Sequence, residues 1–254
     1  MKVVRRIAEL ETAPGTGLVP TMGALHDGHR ALFRTARAEN ERLVASLFVN
    51  PAQFDEQSDL EAYPRDEAHD LELAEAEDVD VVFAPAPEEL YPRGFATWVD
   101  PEETGAEGAA RPGHFRGVAT VCLKLFNLVQ PERAYFGQKD AQQIAVMRRL
   151  VRDLNVPVEI RAVPTVRDPD GLALSSRNAR LSAEERERAL GLPRALASAA
   201  GEPDPVAAAR ASLNGLEPDY VEVLDLGDAK VLAAAIRVGS TRLIDNVILE
   251  GEIR

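Results

Sequence analysis

Two of the four histidines fall within one tetrapeptide, His26-Asp-Gly-His29, inside the string Leu18-Val-Pro-Thr-Met-Gly-Ala-Leu-His-Asp-Gly-His-Arg-Ala-Leu32. This reads as a short strand, a turn with glycines at 23 and 28, and a helix opening near His29. Such an order puts backbone N–H groups and the positive end of a helix dipole at the carboxyl edge of a sheet, where a phosphate can sit. Both imidazoles can point at that one anion. The plain alternative is that His26 caps the turn and His29 sits on a wet first helical turn. Zinc would want a further ligand that stands at no readable spacing.

Three further strings carry chemistry. Leu47-Phe-Val-Asn-Pro-Ala-Gln-Phe54 is an apolar strand that stops at Asn50-Pro51 and delivers Gln53 beside Phe54, an amide next to an aromatic, suited to a small hydroxylated ligand with an apolar body. It is followed by Asp59, Tyr63, Pro64 and Arg65. In Tyr135-Phe-Gly-Gln-Lys-Asp-Ala-Gln-Gln143, Gly137 lets backbone approach a ligand, Lys139 offers a point charge for phosphate and Gln143 an amide on the next helix. A solvated Lys139–Asp140 ion pair is the bland reading of that turn, and it is worth little. In Gly171-Leu-Ala-Leu-Ser-Ser-Arg-Asn178, two hydroxyls and an arginine after a turn suit a loop that grips a polyphosphate as charge moves to the leaving group. Cys122, in the apolar helix opened by Gly113-His-Phe-Arg-Gly117, reads as an inert core residue.

The elements that must hold these strings alternate. Apolar runs at 18–19, 43–49, 79–83, 134–136 and 158–166 read as buried strands. Between them, 30–42, 59–77, 118–129 and 141–154 carry apolar residues at three and four spacing, the mark of helices. Strand and helix in alternation predict a parallel α/β sheet, Rossmann-like and doubly wound, over residues 1–165. The turn Asp168-Pro-Asp-Gly171 and the capping box Ser182-Ala-Glu-Glu185 open a second, smaller α+β unit over 166–254. It holds a charged helix over 182–199, a short alanine-rich helix, and strands at 220–226 and 243–249. The span 100–113 reads as an exposed loop.

Composition narrows the function classes. With 254 residues the chain can bury a real core, and 29 Lys and Arg against 42 Asp and Glu leave a net charge of −13. A phosphate backbone meets repulsion over most of such a surface, so nucleic acid is not an expected partner. One cysteine excludes an internal disulfide and fits a reducing compartment, with cytoplasm as the expected location. No apolar run reaches 18 residues, so no membrane span is expected, and MKVVRRIAELET lacks the apolar core of an export signal.

Taken together, PTMGALHDGH, FVNPAQF, YPRD, GHFRG, KLFN, FGQKD and LSSRN, in order from Pro20 to Asn178, resemble the pantothenate synthetase family (pantoate:β-alanine ligase, AMP-forming) of the HxGH nucleotidyltransferase superfamily. The tail strings Tyr220-Val-Glu-Val and Arg237 to Asn246 are similar to the end of that family. The resemblance implies a Rossmann-like domain closed over by a smaller C-terminal one, a homodimer, and the substrates ATP, pantoate and β-alanine with Mg2+. Pantoate carboxylate would attack the α-phosphate of ATP, giving pantoyl adenylate and pyrophosphate, and β-alanine would displace AMP. Carried over by position, His26, His29, Lys139, Ser175, Ser176 and Arg177 would be catalytic. The nucleotide would lie along Met22, Gly23, Ala24, Leu25, His26, Asp27, Gly28, His29, Gly137, Gln138, Lys139, Asp140, Val166, Leu174, Ser175, Ser176 and Arg177. Gln53 and Gln143 would hold pantoate, Gln53 also lying near β-alanine. Metal ligands are not indicated. The chain departs from the family at Gln138, where Glu is usual, and at Leu174, where Met is usual, and its C-terminal part is short. Gln138 leaves a nucleotide-binding protein without turnover as one alternative, and another HxGH adenylyltransferase as a second. A tRNA-directed relative would want a basic face.

Overall fold

Six short strands form the centre of the protein: β1 (Lys2–Val4), β2 (Thr16–Thr21), β3 (Arg42–Leu47), β4 (Val81–Phe83), β5 (Arg133–Gly137) and β6 (Glu159–Val163). They lie all parallel in the order β1-β4-β3-β2-β5-β6, in a computed structural model that describes residues 1–253 apart from 56, 103, 104 and 214. Both faces of this sheet are covered, so strand residues are apolar on both sides rather than alternating with polar ones. Leu18, in register with Val44, packs with α6 (His114–Val129) and α7 (Ala141–Asp153) on one face. Val19, in register with Ala45, packs on Leu32, Phe33 and Ala36 of α1 (Asp27–Glu39) on the other.

The elements between β3 and α6 differ from the expected ones for local reasons. In place of a single helix over 59–77, the chain makes α2 (Gln57–Ala62) and α3 (Glu67–Ala76). Pro64 disfavours helical backbone at Tyr63, and Asp66 restarts the helix by accepting the N–H of His69 at 3.2 Å. After α4 (Pro87–Leu90), the span expected as a loop over 100–113 contains α5 (Ala106–Ala110); Glu103 and Thr104 of that span lie outside the described residues.

The second unit is a three-stranded antiparallel sheet, β7 (Pro218–Asp225), β8 (Ala229–Val238) and β9 (Thr241–Gly251), with α8 (Ala183–Ala189), α9 (Gly191–Ala199) and α10 (Pro205–Ser212). The expected capping box is present, with Ser182 and Glu185 exchanging bonds at 3.2 and 2.9 Å. The expected helix over 182–199 divides at Leu190 into α8 and α9. The middle strand has two buried faces. Leu232, Ala234 and Ile236 join the helices of this unit, whereas Val231, Ala233 and Ala235 join the core built on α6 and α7. Alanine suits a strand pressed between two layers, and this run of alanines hid β8 from a periodicity reading.

Candidate active site

In the sheet order, the chain leaves β2 in one direction towards β3 and β4 and later returns to its other side with β5. The two strands part at their carboxyl ends, the place where open α/β sheets bind ligands. A cavity of about 550 Å³ opens there, walled by Pro20 and Thr21 of β2, Phe136 and Gly137 of β5, and, from the second unit, Leu243 to Asn246 of β9.

His26 and His29 form one side of it. His26 is the N-cap of α1, and its Nδ1 accepts the N–H of Gly28 at 3.1 Å. Nδ1 of His29 in turn accepts the N–H of His26 at 3.2 Å. This is a capping box built from two imidazoles. A ring nitrogen that accepts carries no proton, so in the neutral rings the proton sits on Nε2. Burial, with the Lys139 ammonium nearby, pushes His26 down to about 4, and burial, His26 and Lys139 hold His29 well below its ordinary value. Both are therefore neutral N–H donors at pH 7 rather than cations. Gly28 leaves room for this pair of tilted rings, because a Cβ there would meet Cε1 of His26 at 2.8 Å.

The N–H groups of the turn stand differently from the expectation of a free phosphate cradle. Gly23 N–H goes to Thr21 Oγ1 at 3.2 Å, and those of Ala24 and Leu25 go to the buried carboxylate of Asp70, on α3, at 2.9 and 2.7 Å. Gly23 and Ala24 both have positive φ, +81° and +51°; glycine adopts this freely, alanine only under strain, and Asp70 fastens the Ala24 N–H. Gly23, Ala24 and Leu25 consequently sit behind the wall, and Asp27 points outward to pair with Arg30. Met22, His26, Gly28 and His29 line the cavity.

Gln53 faces this turn from a short 3-10 turn, Pro51–Gln53. Asn50 donates to Gln53 Oε1 at 2.9 Å and to Gly117 O at 3.1 Å. With its oxygen engaged, the carboxamide of Gln53 offers its NH2 to a ligand. The turn lies so close to α6 that a Cβ on Gly117 would be 2.3 Å from Ala52 O. His114 Nδ1 donates to Gln53 O at 2.9 Å and Arg111 reaches the same oxygen at 3.3 Å. Burial and the Arg111 charge hold His114 down to about 4. Gln143, on the first turn of α7, lines the same cavity.

Gly137, Lys139, Asp140, Val166, Leu174, Ser175, Ser176 and Arg177 complete the wall. Lys139 Nζ lies 3.4 Å from Leu174 O and 4.0 Å from Asp140. Gln138 is outside the wall; its carbonyl is held by Asn246. Arg177 pairs with Asp59 of α2 at 3.0 Å, and Arg180 pairs with the same carboxylate at 3.2 Å, so the loop after Leu174 is tied across the cavity mouth. Below it, Arg242 of β9 holds Glu107 of α5 through two bonds, at 2.7 and 2.9 Å. Among the described residues, six cations line the cavity (Arg111, Lys139, Arg177, Arg180, Arg237 and Arg242) against five acids (Asp55, Asp59, Glu107, Asp140 and Asp245). In a chain of net charge −13, this is the favourable place for an anion. The sequence reading did not single out Asp70, Arg111, Glu107, Arg242 or Asn246 as site residues. They come from separate elements, and only the folded contacts bring them together.

A doubly wound sheet with this cavity at its switch point, and a second unit over it, is the architecture of an α/β enzyme that binds a small ligand at the carboxyl edge of its sheet. The sequence profile of the Pantoate-beta-alanine ligase family matches residues 1–248, and the chain belongs to that family. It is 53% identical to the pantothenate synthetase of Roseiflexus sp. strain RS-1, over 98% of this chain and 100% of that one. The crystal structure of pantothenate synthetase from Thermus thermophilus superposes with a TM-score of 0.93 at 45% identity, over 98% of this chain and 99% of that one. That of the pantoate-beta-alanine ligase from Francisella tularensis, complexed with beta-gamma ATP and beta-alanine, does so with a TM-score of 0.86 at 34% identity, over 99% of both chains.

Proposed function

We propose that the protein condenses (R)-pantoate with β-alanine to pantothenate, consuming ATP and releasing AMP and pyrophosphate through a pantoyl-adenylate intermediate. The observation that carries this is the pair of neutral, mutually capped histidines, His26 and His29, in one cavity with Lys139, Gln53 and Gln143. A pantoate carboxylate is ionised at pH 7 and is already a nucleophile, so the site needs no base for the first step. It needs charge stabilisation and alignment.

In that step a carboxylate oxygen bonds to the α-phosphorus and the bond to the β,γ-diphosphate breaks. Negative charge gathers on the α-phosphate oxygens as it does so. Nε2–H donors from His26 and His29 and the Lys139 ammonium, fixed in advance, stabilise that charge without reorganising. The NH2 of Gln53, its oxygen tethered by Asn50, and the amide of Gln143 orient pantoate; holding both reactants in line supplies much of the rate. In the second step the β-alanine amine bonds to the acyl carbon and the bond to AMP breaks. Ser175, Ser176 and Arg177 act on the polyphosphate, with Val166 and Leu174 beside the nucleotide. Among the described residues no group of three His, Cys, Asp or Glu is placed to hold a metal ion. Mg2+ carried on the phosphates of the nucleotide would neutralise part of their charge beside Lys139.

Residues 1–165 serve as the nucleotide and pantoate domain and residues 166–254 as the lid, in a homodimer working in the cytoplasm. No helix among the described residues is long and apolar enough to cross a membrane. The test is release of AMP and pyrophosphate from Mg-ATP and pantoate, with β-alanine present or withheld. Sustained AMP release only with β-alanine supports the two-step ligase. ADP as product, or no release from folded protein, overturns it.

A further inference from the structure

The main chain of the Lys139 turn is held from outside its own unit. Asn246, on β9 of the antiparallel sheet, is 3% exposed, and its Nδ2 donates to the carbonyl oxygens of both Gln138 and Lys139, each at 2.9 Å. Its Oδ1 is buried and has no partner among the described residues. Leaving a buried acceptor unpaired is unfavourable. Rotating the amide would relieve nothing, because it would set an oxygen against two carbonyl oxygens. The side chain is therefore committed as a two-armed donor to that turn. Asn246 is itself fixed: its N–H donates to Asp245 Oδ1 at 2.8 Å, and Asp245, 2% exposed, takes two bonds from Arg167 at 2.6 and 2.9 Å. Arg167 also reaches Gly171 O, at 3.2 Å, in the segment leading to Leu174. The Lys139 ammonium meets Leu174 O at 3.4 Å. Lys139 is thus held at both ends by the chain beyond β6, its carbonyl by Asn246 and its ammonium by Leu174.

We infer that Asn246 is a positioning residue for the reaction: it sets the Lys139 turn, so that the ammonium is aimed only while the antiparallel sheet is seated on the parallel one. This rests on the assignment of Lys139 to the nucleotide phosphates proposed above. Asn246 touches no reacting atom, and its effect passes through Lys139. A ligase that makes a hydrolysable acyl adenylate gains from such an arrangement, because the cation that promotes the first step is then in place only when the unit that covers the cavity is in place.

A double-mutant cycle tests this. Pyrophosphate release would be measured as kcat and KM for ATP in wild type, N246A, K139A and N246A/K139A, with thermal unfolding of each. The expected result is a kcat about tenfold lower in N246A, within the range for residues of one network, and less than about a twofold further loss when N246A is added to K139A. N246D, equal in shape but facing two carbonyls with an oxygen, loses at least as much as N246A and carries the same cycle if N246A does not fold. Losses that multiply in the double variant, or a folded N246A with full kcat, overturn the positioning role. K139A releasing pyrophosphate at the wild-type rate would instead overturn the assignment of Lys139, and the two failures are told apart by that one variant.

Discussion

The two walls of the cavity are held in opposite ways. The histidine wall is tied mainly to its neighbours in sequence: Gly23, His26 and Gly28 donate to Thr21, His29 and His26, while Asp70 of α3 takes the N–H groups of Ala24 and Leu25 and Ser46 of β3 pairs with Thr21. The serine-arginine wall is tied across the fold, Arg177 and Arg180 to Asp59, more than a hundred residues away, and Leu174 to Lys139. Bonds of the first kind form with the element that bears them, so the imidazoles are preorganised wherever α1 is folded. Bonds of the second kind exist only while two units are apposed. The first wall is suited to lowering the barrier of the chemical step, the second to gathering and enclosing the nucleotide.

The contrast can be broken most strongly at His29. H29A should lower pyrophosphate release on the order of 10²-fold or more, with KM for ATP changed little, because its donor is spent on charge that appears in the transition state. Unchanged turnover would remove the histidine wall from the chemistry. G28A is a subtler break: the added Cβ displaces the His26 ring 2.8 Å away. The lost cap costs about 1 kcal/mol, and alanine's better helix propensity returns a similar amount, so unfolding should move little while kcat falls about tenfold. A large loss of Tm with intact kcat would contradict that separation.

D59N sharpens the other side. Releasing Arg177 and Arg180 should speed tryptic cleavage at these arginines about fivefold, an opening easier by ~1 kcal/mol, with cleavage at Arg30 unchanged. Equal acceleration at both places would show that the walls are not independent. A separate effect, read in stability rather than in turnover or cleavage, is that of pH. His26 and His114, held to about 4, bind a proton more readily unfolded than folded between pH 4 and 6.5. Their contribution to stability is full above about 6.5 and is lost as pH falls through about 4. Denaturant unfolding should therefore give lower stability at pH 5 than at pH 7.5, and H114N should flatten part of that slope. An unchanged slope in H114N would place the titration elsewhere.

The parallel strands other than β1 were legible because each carries a short apolar run between helical periods, and the histidine, Lys139 and Ser175–Arg177 strings were legible because glycines and turn residues frame them. What escaped did so for physical reasons. β1 is three residues long, and β8 is alanine-rich because it is covered on both faces. Asp70 sits in an acid-rich helix where a solvated carboxylate is the ordinary expectation; it is buried because the turn 23–25 docks on it. Asn246 lay within a quoted string, yet nothing local indicates that β9 crosses to the Lys139 turn. Free N–H groups at residues 23–25 were the natural reading of a glycine turn before a helix, and Thr21 and Asp70 take them instead.

The most direct test of the proposed chemistry is the fate of oxygen. Pantoate labelled with 18O in both carboxylate oxygens would be turned over with Mg-ATP and β-alanine, and the products weighed by mass spectrometry. Attack of the carboxylate on the α-phosphorus predicts AMP carrying one 18O and pantothenate retaining the other. Unlabelled AMP, with the lost 18O found in inorganic phosphate or in water, would contradict it.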